Sequence, residues 1–199
     1  LLKDLIKIDG LVRLRISSIE INELTDEVLD IFKESNILVP HLHIPLQSGS
    51  NHILKEMNRK YDKEYFINRI DYIKSIKEDV SITTDVITGF PGETDEEHIE
   101  SIKTIKRIGF TKVHVFPYSD RYGTVASKMP NKVDGNIKKS RVRDLLELSQ
   151  ELESTFCKKF YNRTMKVLIE EEKDGYFYGH TANFIKVETL FKMKYMIYY

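Results

Sequence analysis

Residues 11–117 alternate between segments with the two-residue period of a strand and segments with the period of a helix. The predicted strands are Leu11–Ser18, His41–Leu46, Val80–Thr88 and Lys112–Pro117. The predicted helices are Glu23–Phe32, Asn51–Met57, Lys63–Lys77 and Asp95–Ile108. Strands that alternate with helices of about 10–15 residues predict parallel βαβ units. The pattern therefore indicates an α/β fold, an open sheet or half of a barrel, with the loops after the strands at one rim.

The sequence changes character after Pro130. The segment Ile137–Tyr161 has apolar side chains at helical spacing and predicts one long helix. The strands predicted after it are Met165–Ile169, Gly175–His180 and Phe184–Val187, the beginning of a small β-domain. We expect a barrel part at 1–135, a linking helix at 136–163 and an incomplete β-domain at 164–199. The ending Leu190–Tyr199 fits no continuation of this domain, and we interpret it as an anomaly of the reading frame.

Composition narrows the classes of function. The 31 basic and 31 acidic side chains cancel, so any contact with RNA must use a local patch. Cys157 is the only cysteine, which excludes a disulfide framework and a cysteine-rich metal site and favours a reducing, cytosolic setting. No segment has the roughly 18 apolar residues that a membrane span needs. Because the chain starts with Leu1, we expect it to begin inside a longer gene product.

Two glycine-containing loops follow predicted strands and are the main candidates for a ligand site. In the segment Asp85–Thr94, Gly89 allows a ligand to approach the backbone closely, although an ordinary capped βα loop explains the same residues equally well. In the segment Pro45–Ser50, the terminal serine is predicted as a helix cap. The amide of Gln47, at the sheet rim, is well placed to read an adenine or carboxylate edge.

Titratable side chains give weaker signals. His41 and His43 are two residues apart and face one side of their strand, but no third metal ligand is evident. We interpret both as core or rim histidines and predict no metal site. Glu20, Asp85 and Glu93 could converge at one rim as acid–base groups. That hypothesis is not compelling, because Asp85 precedes the strand end and Glu93 is predicted to start a helix.

Basic side chains beside aromatic ones mark the long helix and the β-domain. The residues predicted to bind RNA are Lys138, Lys139, Arg163, Lys166 and Tyr178. Cations can hold a phosphate backbone while aromatic rings stack on bases. Acidic residues nearby, including 170–172, dilute this charge, so a solvated surface remains the alternative.

Four motifs, taken together, resemble one family. They are the segments His41–Ser50, Leu54–Arg59, Thr84–Thr94 and Phe116–Ser119. In this order and spacing they are similar to the second half of the radical S-adenosylmethionine (SAM) methylthiotransferases, over roughly residues 11–187. The stretches Arg15–Glu20 and His114–Ser119 look most like the branch that modifies threonylcarbamoyladenosine in tRNA. A branch acting on a ribosomal protein, and a non-catalytic RNA-binding module, remain as alternatives.

The resemblance implies a cofactor site at the strand ends. By position, the residues that would contact SAM are Ser17, Ser18, Glu20, Gln47, Ile87, Gly89, Phe116, Pro117, Tyr118 and Ser119. The implied fold is the C-terminal part of a partial (β/α)6 barrel, a long helix and a TRAM-like RNA-binding domain, with tRNA as the partner. The family also uses [4Fe–4S] clusters, whose cysteines this chain lacks, so the resemblance implies a fragment that is inactive alone. The first predicted strand has an open edge, which invites dimerisation.

Overall fold

The structure is a computed structural model that describes residues 1–190. Its α-helices are α1 (Leu2–Leu5), α2 (Asp26–Glu34), α3 (Asn51–Glu56), α4 (Lys63–Ile76), α5 (Asp95–Ile108) and α6 (Gly135–Lys158). Its strands are β1 (His41–His43), β2 (Ser81–Thr88), β3 (Lys112–Pro117), β4 (Val167–Lys173), β5 (Tyr176–Thr181) and β6 (Lys186–Thr189). Two 3₁₀ helices are Ile21–Glu23 and Ala126–Lys128. Of the predicted anomalous ending, 191–199 lies outside the described residues. Within 1–190, no helix combines the length and apolarity needed to cross a membrane.

The first sheet is parallel, in the order β1–β2–β3, as the βαβ pattern predicts. The predicted strand Leu11–Ser18 is wrong as a regular strand. It makes two isolated bridges instead, Leu14 with Leu38 and Ser18 with His43. Between these bridges His41 N donates to Val39 O of its own segment at 2.7 Å, so the ladder is interrupted there.

The two faces of this sheet differ because strand side chains alternate in direction. One face carries Leu42, Ile82 and Val86, which share a buried core with Phe66 of α4 and Ile105 of α5. The other face carries polar side chains, among them His41, His43, Thr83, Asp85 and His114. Each buried aliphatic side chain contributes roughly 1.5–3 kcal/mol, so a one-residue slip that exchanged the faces would be strongly disfavoured.

Helix α6 packs along the outer edge of β3. The Ser149 hydroxyl accepts a hydrogen bond from Val113 N (2.9 Å) and donates one to Val113 O (3.0 Å). An unpaired buried backbone group costs about 1–3 kcal/mol, so this side chain replaces a neighbouring strand at that point. Leu145 and Leu148 of the same helix join the buried core.

The β-domain is a separate antiparallel sheet in the order β4–β5–β6. Gly179 of β5 lies so close to β4 that a Cβ atom would overlap the Leu168 carbonyl oxygen. The register between these strands shifts between Ile169 and Glu171, just beside this contact. A glycine is therefore required where the two backbones approach.

Phe184 links the β-domain to the first sheet. Its φ of 63° is unusual for a bulky residue, and it explains why the strand predicted at Phe184–Val187 begins two residues later. The ring stacks on His180 at 4.3 Å, lies 4.7 Å from the His41 ring and has the Arg15 guanidinium 4.2 Å from its centroid. Contacts with both parts of the chain hold this backbone conformation in place.

Candidate functional site

The C-terminal ends of the parallel strands bring several predicted cofactor residues to one rim. The backbone pairs at this rim are Ile87 with Phe116, Thr88 with Pro117, and Gln47 with Val86. Ligands of parallel α/β sheets bind at this edge. The structure therefore places these residues together, where the sequence predicts them.

Gln47 owes its position to its neighbours in the chain and in β2. Pro45 has no N–H, and the Thr84 hydroxyl takes the place of the ladder by donating to Ile44 O and accepting from Leu46 N, both at 2.8 Å. Gln47 then adopts a φ of 67°. Its side-chain amide has no hydrogen-bond partner within residues 1–190, so it can meet a ligand.

The loop between β1 and α3 is anchored on α5. Gly49 N donates to Ser101 Oγ, and Thr104 Oγ1 donates to Gly49 O, both at 3.0 Å. A Cβ atom on this glycine would lie 2.6 Å from the Ser101 Cα. Ser50 occupies the N-cap position of α3, but its side chain makes no cap bond; its hydroxyl instead donates to the Glu97 carboxylate at 3.4 Å.

Gly89 begins the loop after β2 with a φ of 73°, a conformation that favours glycine. Its N–H donates to Glu93 Oε2 at 2.6 Å. A Cβ atom here would overlap the aliphatic stem of Lys138 from α6. The close approach that the sequence predicts at this glycine is thus made by a lysine of the same chain. Thr94 caps α5 by accepting from Glu97 N at 3.3 Å.

A buried ion pair beneath this loop joins it to α6. Arg141 Nη1 donates to Glu93 Oε2 at 2.7 Å, and the two side chains are 6% and 2% exposed. Arg141 Nη2 donates to Asp95 Oδ1, also at 2.7 Å. The Glu93 carboxylate is therefore enclosed and engaged, which gives it a structural role in place of an acid–base one. No sequence signal points to Arg141, because its partners lie more than 40 residues away.

Three of the predicted SAM contacts precede the first 3₁₀ helix, and the structure does not place them together. Ser17 and Ser18 line a cavity of about 410 Å³ between the first sheet and the β-domain. Glu20 pairs instead with Arg59 at 2.7 Å and forms a capping box with Glu23. The structure therefore brings the two serines to a cavity and ties the carboxylate to a helix start.

A polar cluster faces the same cavity and is absent from the predicted site. His43 Nε2 lies 3.2 Å from Asp85 Oδ2, and its Nδ1 lies 2.9 Å from Thr83 Oγ1. The His114 ring lies 5.7 Å from the His43 ring. Burial lowers the pKa of His114, and burial lowers the pKa of His41 from 6.5 to about 4, so both rings are neutral at pH 7. The sequence signals for this cluster were the two-residue spacing of the first histidines and the acid–base hypothesis for Asp85. The three carboxylates of that hypothesis do not converge, because Glu20 pairs with Arg59 and Glu93 with Arg141.

The segment after β3 turns outward. Phe116 is half exposed, and Ser119 is exposed. The Tyr118 ring packs edge-on against Phe90 with centroids 5.3 Å apart, and its hydroxyl donates to Asp120 Oδ1 at 2.9 Å. The aromatic pair gives this end of the rim an apolar wall.

Two of the predicted RNA-binding residues have partners inside the chain. The Lys138 ammonium donates to Tyr118 O at 3.3 Å, so this lysine lies at the rim. The Arg163 guanidinium forms a bidentate pair with Asp79, at 3.2 and 2.6 Å, and links the segment between α6 and β4 to the turn before β2. Both side chains therefore stabilise contacts within the fold.

The other three predicted RNA-binding residues make fewer contacts with the rest of the chain. Lys139 and Lys166 are exposed and have no carboxylate partner in the described part of the chain. The Tyr178 ring lies 6.5 Å from that of Tyr176, with the Lys186 ammonium 5.8 Å from its centroid. Lys166 and Tyr178 lie in the β-domain, away from Lys139 at the start of α6.

The residues present fit the two family cofactors differently. A [4Fe–4S] cluster needs several cysteine thiolates, and this chain has only Cys157. Residues 1–190 also contain no group of three His, Cys, Asp or Glu side chains that could hold a metal. A cluster therefore does not fit this chain. The predicted SAM contacts are divided between two places. Ser17 and Ser18 line the cavity together with Thr111 and Lys112 at the start of β3, whereas the free Gln47 amide lies at the rim and is not among the lining residues.

Comparisons with known proteins agree with this geometry. Residues 1–105 match the Radical SAM superfamily. Threonylcarbamoyladenosine tRNA methylthiotransferase MtaB of Bacillus subtilis is 44% identical over 186 residues, which are 91% of this chain and 41% of that protein. A tRNA-2-methylthio-N(6)-dimethylallyladenosine synthase of Thermoanaerobacter sp. is 39% identical over 170 residues, 85% of this chain and 36% of that protein. The chain spans about 40% of the length of these relatives.

Two solved structures share the fold. Coproporphyrinogen III oxidase of Escherichia coli, a radical SAM enzyme, has 18% identity and a TM-score of 0.58 over 69% of this chain and 32% of its own. The Elp3 protein of Methanocaldococcus infernus has 15% identity and a TM-score of 0.54 over 85% of this chain and 53% of its own. At these identities the likeness shows the fold alone. The chain therefore belongs to the radical SAM superfamily, and the relatives that resemble it over most of its length are tRNA methylthiotransferases.

Proposed function

We propose that this chain is part of a tRNA methylthiotransferase that adds a methylthio group at C2 of threonylcarbamoyladenosine. The observation that carries the proposal is the 44% identity, over 91% of the chain, to a relative named for that nucleoside. The relative named for dimethylallyladenosine reaches 39% over 85% of the chain, so that nucleoside is the competing substrate.

In this proposal the rim binds SAM, which is the source of the methyl group when bound. The Gln47 amide is free and lies beside the ends of β1 and β2, so it reads a polar edge of the cofactor. Ser17 and Ser18 supply hydroxyls from the adjoining segment. The Glu93–Arg141 pair holds the backbone at Ile87 and Gly89 in a fixed shape. Phe116, Pro117, Tyr118 and Ser119 close the site on the side of β3.

Members of the superfamily use SAM together with [4Fe–4S] clusters. Because a cluster does not fit this chain, we propose that the chain alone does not turn over and that a further part of the same enzyme supplies the cysteines. We also propose that the TRAM-like β-domain contacts tRNA through Lys166 and Tyr178, and that the enzyme acts in the cytoplasm. Dimerisation through the edge at 11–18 remains a prediction.

A chimaeric enzyme tests the proposal. Residues 1–190 replace the matching segment of the Bacillus subtilis relative, and the chimaera is expressed in a strain that lacks its own gene. We expect mass spectrometry of hydrolysed tRNA to detect 2-methylthio-threonylcarbamoyladenosine, and Gln47→Ala to reduce its amount. The same segment placed in the dimethylallyladenosine synthase serves as the matched comparison for substrate choice. A folded chimaera that leaves tRNA without any methylthio nucleoside would contradict the proposal.

A further inference from the structure

The segment between β3 and α6 exposes an aromatic ring at its tip. We call residues 119–133 the rim loop. Tyr122 is fully exposed, and Val125 is 77% exposed. A tyrosine ring combines a large apolar surface with a polar hydroxyl, so an exposed one offers a contact surface to a binding partner. Apart from Ser119, no residue of the rim loop belongs to the cofactor-binding or RNA-binding sets that the sequence predicts.

The rim loop is held in shape by its own hydrogen bonds. Thr124 Oγ1 donates to Arg121 O at 2.8 Å, and Ser127 Oγ donates to Thr124 O at 2.7 Å. The Lys132 ammonium donates to Ala126 O at 2.7 Å across the loop. These bonds restrain the backbone on either side of the tip, so the loop backbone loses little conformational entropy on binding.

The rim loop carries a local excess of positive charge in a chain with none overall. It contains three basic residues and one acidic residue, whereas the whole chain has 31 of each. Lys132 pairs with Asp120 at 2.5 Å. Arg121 and Lys128 have no carboxylate partner in the described part of the chain, so both can meet an anion.

The rim loop borders the cofactor rim directly. Gly92 N donates to Asn131 O at 2.9 Å, which ties the loop to the turn after Gly89. Tyr118 N donates to Thr88 O at 2.8 Å at its other end. A macromolecule whose reacting group entered the rim would therefore pass the Tyr122 tip.

We propose that the rim loop binds an unpaired RNA strand, with one base stacked on Tyr122 and phosphates held by Arg121 and Lys128. An aromatic ring flanked by free cations provides the two contacts that single strands use, stacking and charge neutralisation. The excess of positive charge in the rim loop favours a polyanion such as a nucleic acid, whose phosphates such cations neutralise. This inference rests on the proposed function, since it names how the RNA substrate reaches the same rim.

Binding of a fluorescein-labelled oligouridylate to the 199-residue chain, followed by fluorescence anisotropy, tests the proposal. Tyr122→Ala should weaken binding about tenfold, and Tyr122→Phe should retain it. Tyr72→Ala is the matched control, because Tyr72 is also exposed but lies on α4 under Arg69. Thermal unfolding of each variant checks that it is folded.

The charge contacts are tested by salt dependence. Replacing Arg121 and Lys128 together by Ala should reduce the slope of log affinity against log salt by about 1.4. The control replaces Lys103 and Lys106, two exposed lysines of α5, and should leave the slope unchanged. Equal affinities of Tyr122→Ala and Tyr72→Ala would overturn the stacking contact.

Two further outcomes separate this proposal from the proposed function. If the wild-type chain does not bind the RNA at low salt, the rim loop proposal is overturned. The chimaera assay would still test the proposed function independently, because methylthiolation does not require the isolated chain to bind RNA. Conversely, binding that depends on Tyr122 supports the rim loop even if the chimaera is inactive.

Discussion

Arg141→Met is expected to destabilise the chain by about 3 kcal/mol. The substitution keeps an apolar stem but leaves the Glu93 carboxylate, 2% exposed, without its cation. Breaking a buried ion pair from one side costs about 3–5 kcal/mol, and the lower end applies because Gly89 N still donates to Glu93. Arg143→Met, at an exposed position of the same helix, is the control and should change stability by less than about 0.5 kcal/mol.

Urea unfolding followed by far-UV circular dichroism measures this effect, since the chain has no tryptophan. With an m-value of about 2 kcal/mol/M, the midpoint should fall by about 1.5 M. Adding Glu93→Gln to Arg141→Met should recover part of the loss, because the amide oxygen still accepts from Gly89 N without an unpaired charge. A cost below about 1 kcal/mol for Arg141→Met, or a double variant less stable than Arg141→Met alone, would refute the reasoning.

Gly179→Ala should destabilise the β-domain by more than about 2 kcal/mol, because its methyl group would overlap the Leu168 carbonyl; Gly135→Ala, where a Cβ meets open space, should be neutral in the same urea titration. Burial lowers the pKa of His41 from 6.5 to about 4, so the unfolded chain binds a proton there more readily than the folded chain. The stability of the fold should therefore be complete above about pH 6.5 and decrease as the pH falls towards 4. In His41→Asn, up to about 3 kcal/mol of this decrease in the free energy of unfolding should be absent. Identical stability–pH profiles for the wild-type chain and His41→Asn would contradict the prediction. Burial raises the pKa of the Cys157 thiol, so its alkylation at pH 8 should be slower than that of glutathione, and an equal or faster rate would count against this environment.

The order of strands and helices could be predicted from the sequence because burial imposes a period on each element. Ile82 and Val86 of β2 lie on one face of the strand, the apolar side chains of α5 repeat at about 3.6 residues, and both sets contribute to the buried core. The rim motifs could be located for the same reason, since the loops after parallel strands meet at one edge. Gln47 and Gly89 therefore lie where the pattern predicts them.

The contacts that shape the rim could not be predicted, because they join residues far apart in the chain. Arg141 reaches Glu93 from a different element, and the Thr84 hydroxyl replaces a ladder bond that Pro45 disrupts. Local propensity also failed at Phe184, where tertiary contacts stabilise a φ that a bulky side chain otherwise avoids. The sequence pattern thus predicted which loops meet at the rim, whereas the detailed geometry of the rim depends on long-range packing.

Because of the position of Ser149, a further strand can be added to only one of the two edges of the first sheet. Its hydroxyl uses both the N–H and the C=O of Val113, so no incoming strand can pair with β3 at that point. The opposite margin, formed by the segment 11–18, is joined to its neighbour by isolated bridges alone. A strand supplied from outside this chain, whether by more of the same enzyme or by a second copy, would have to be added there.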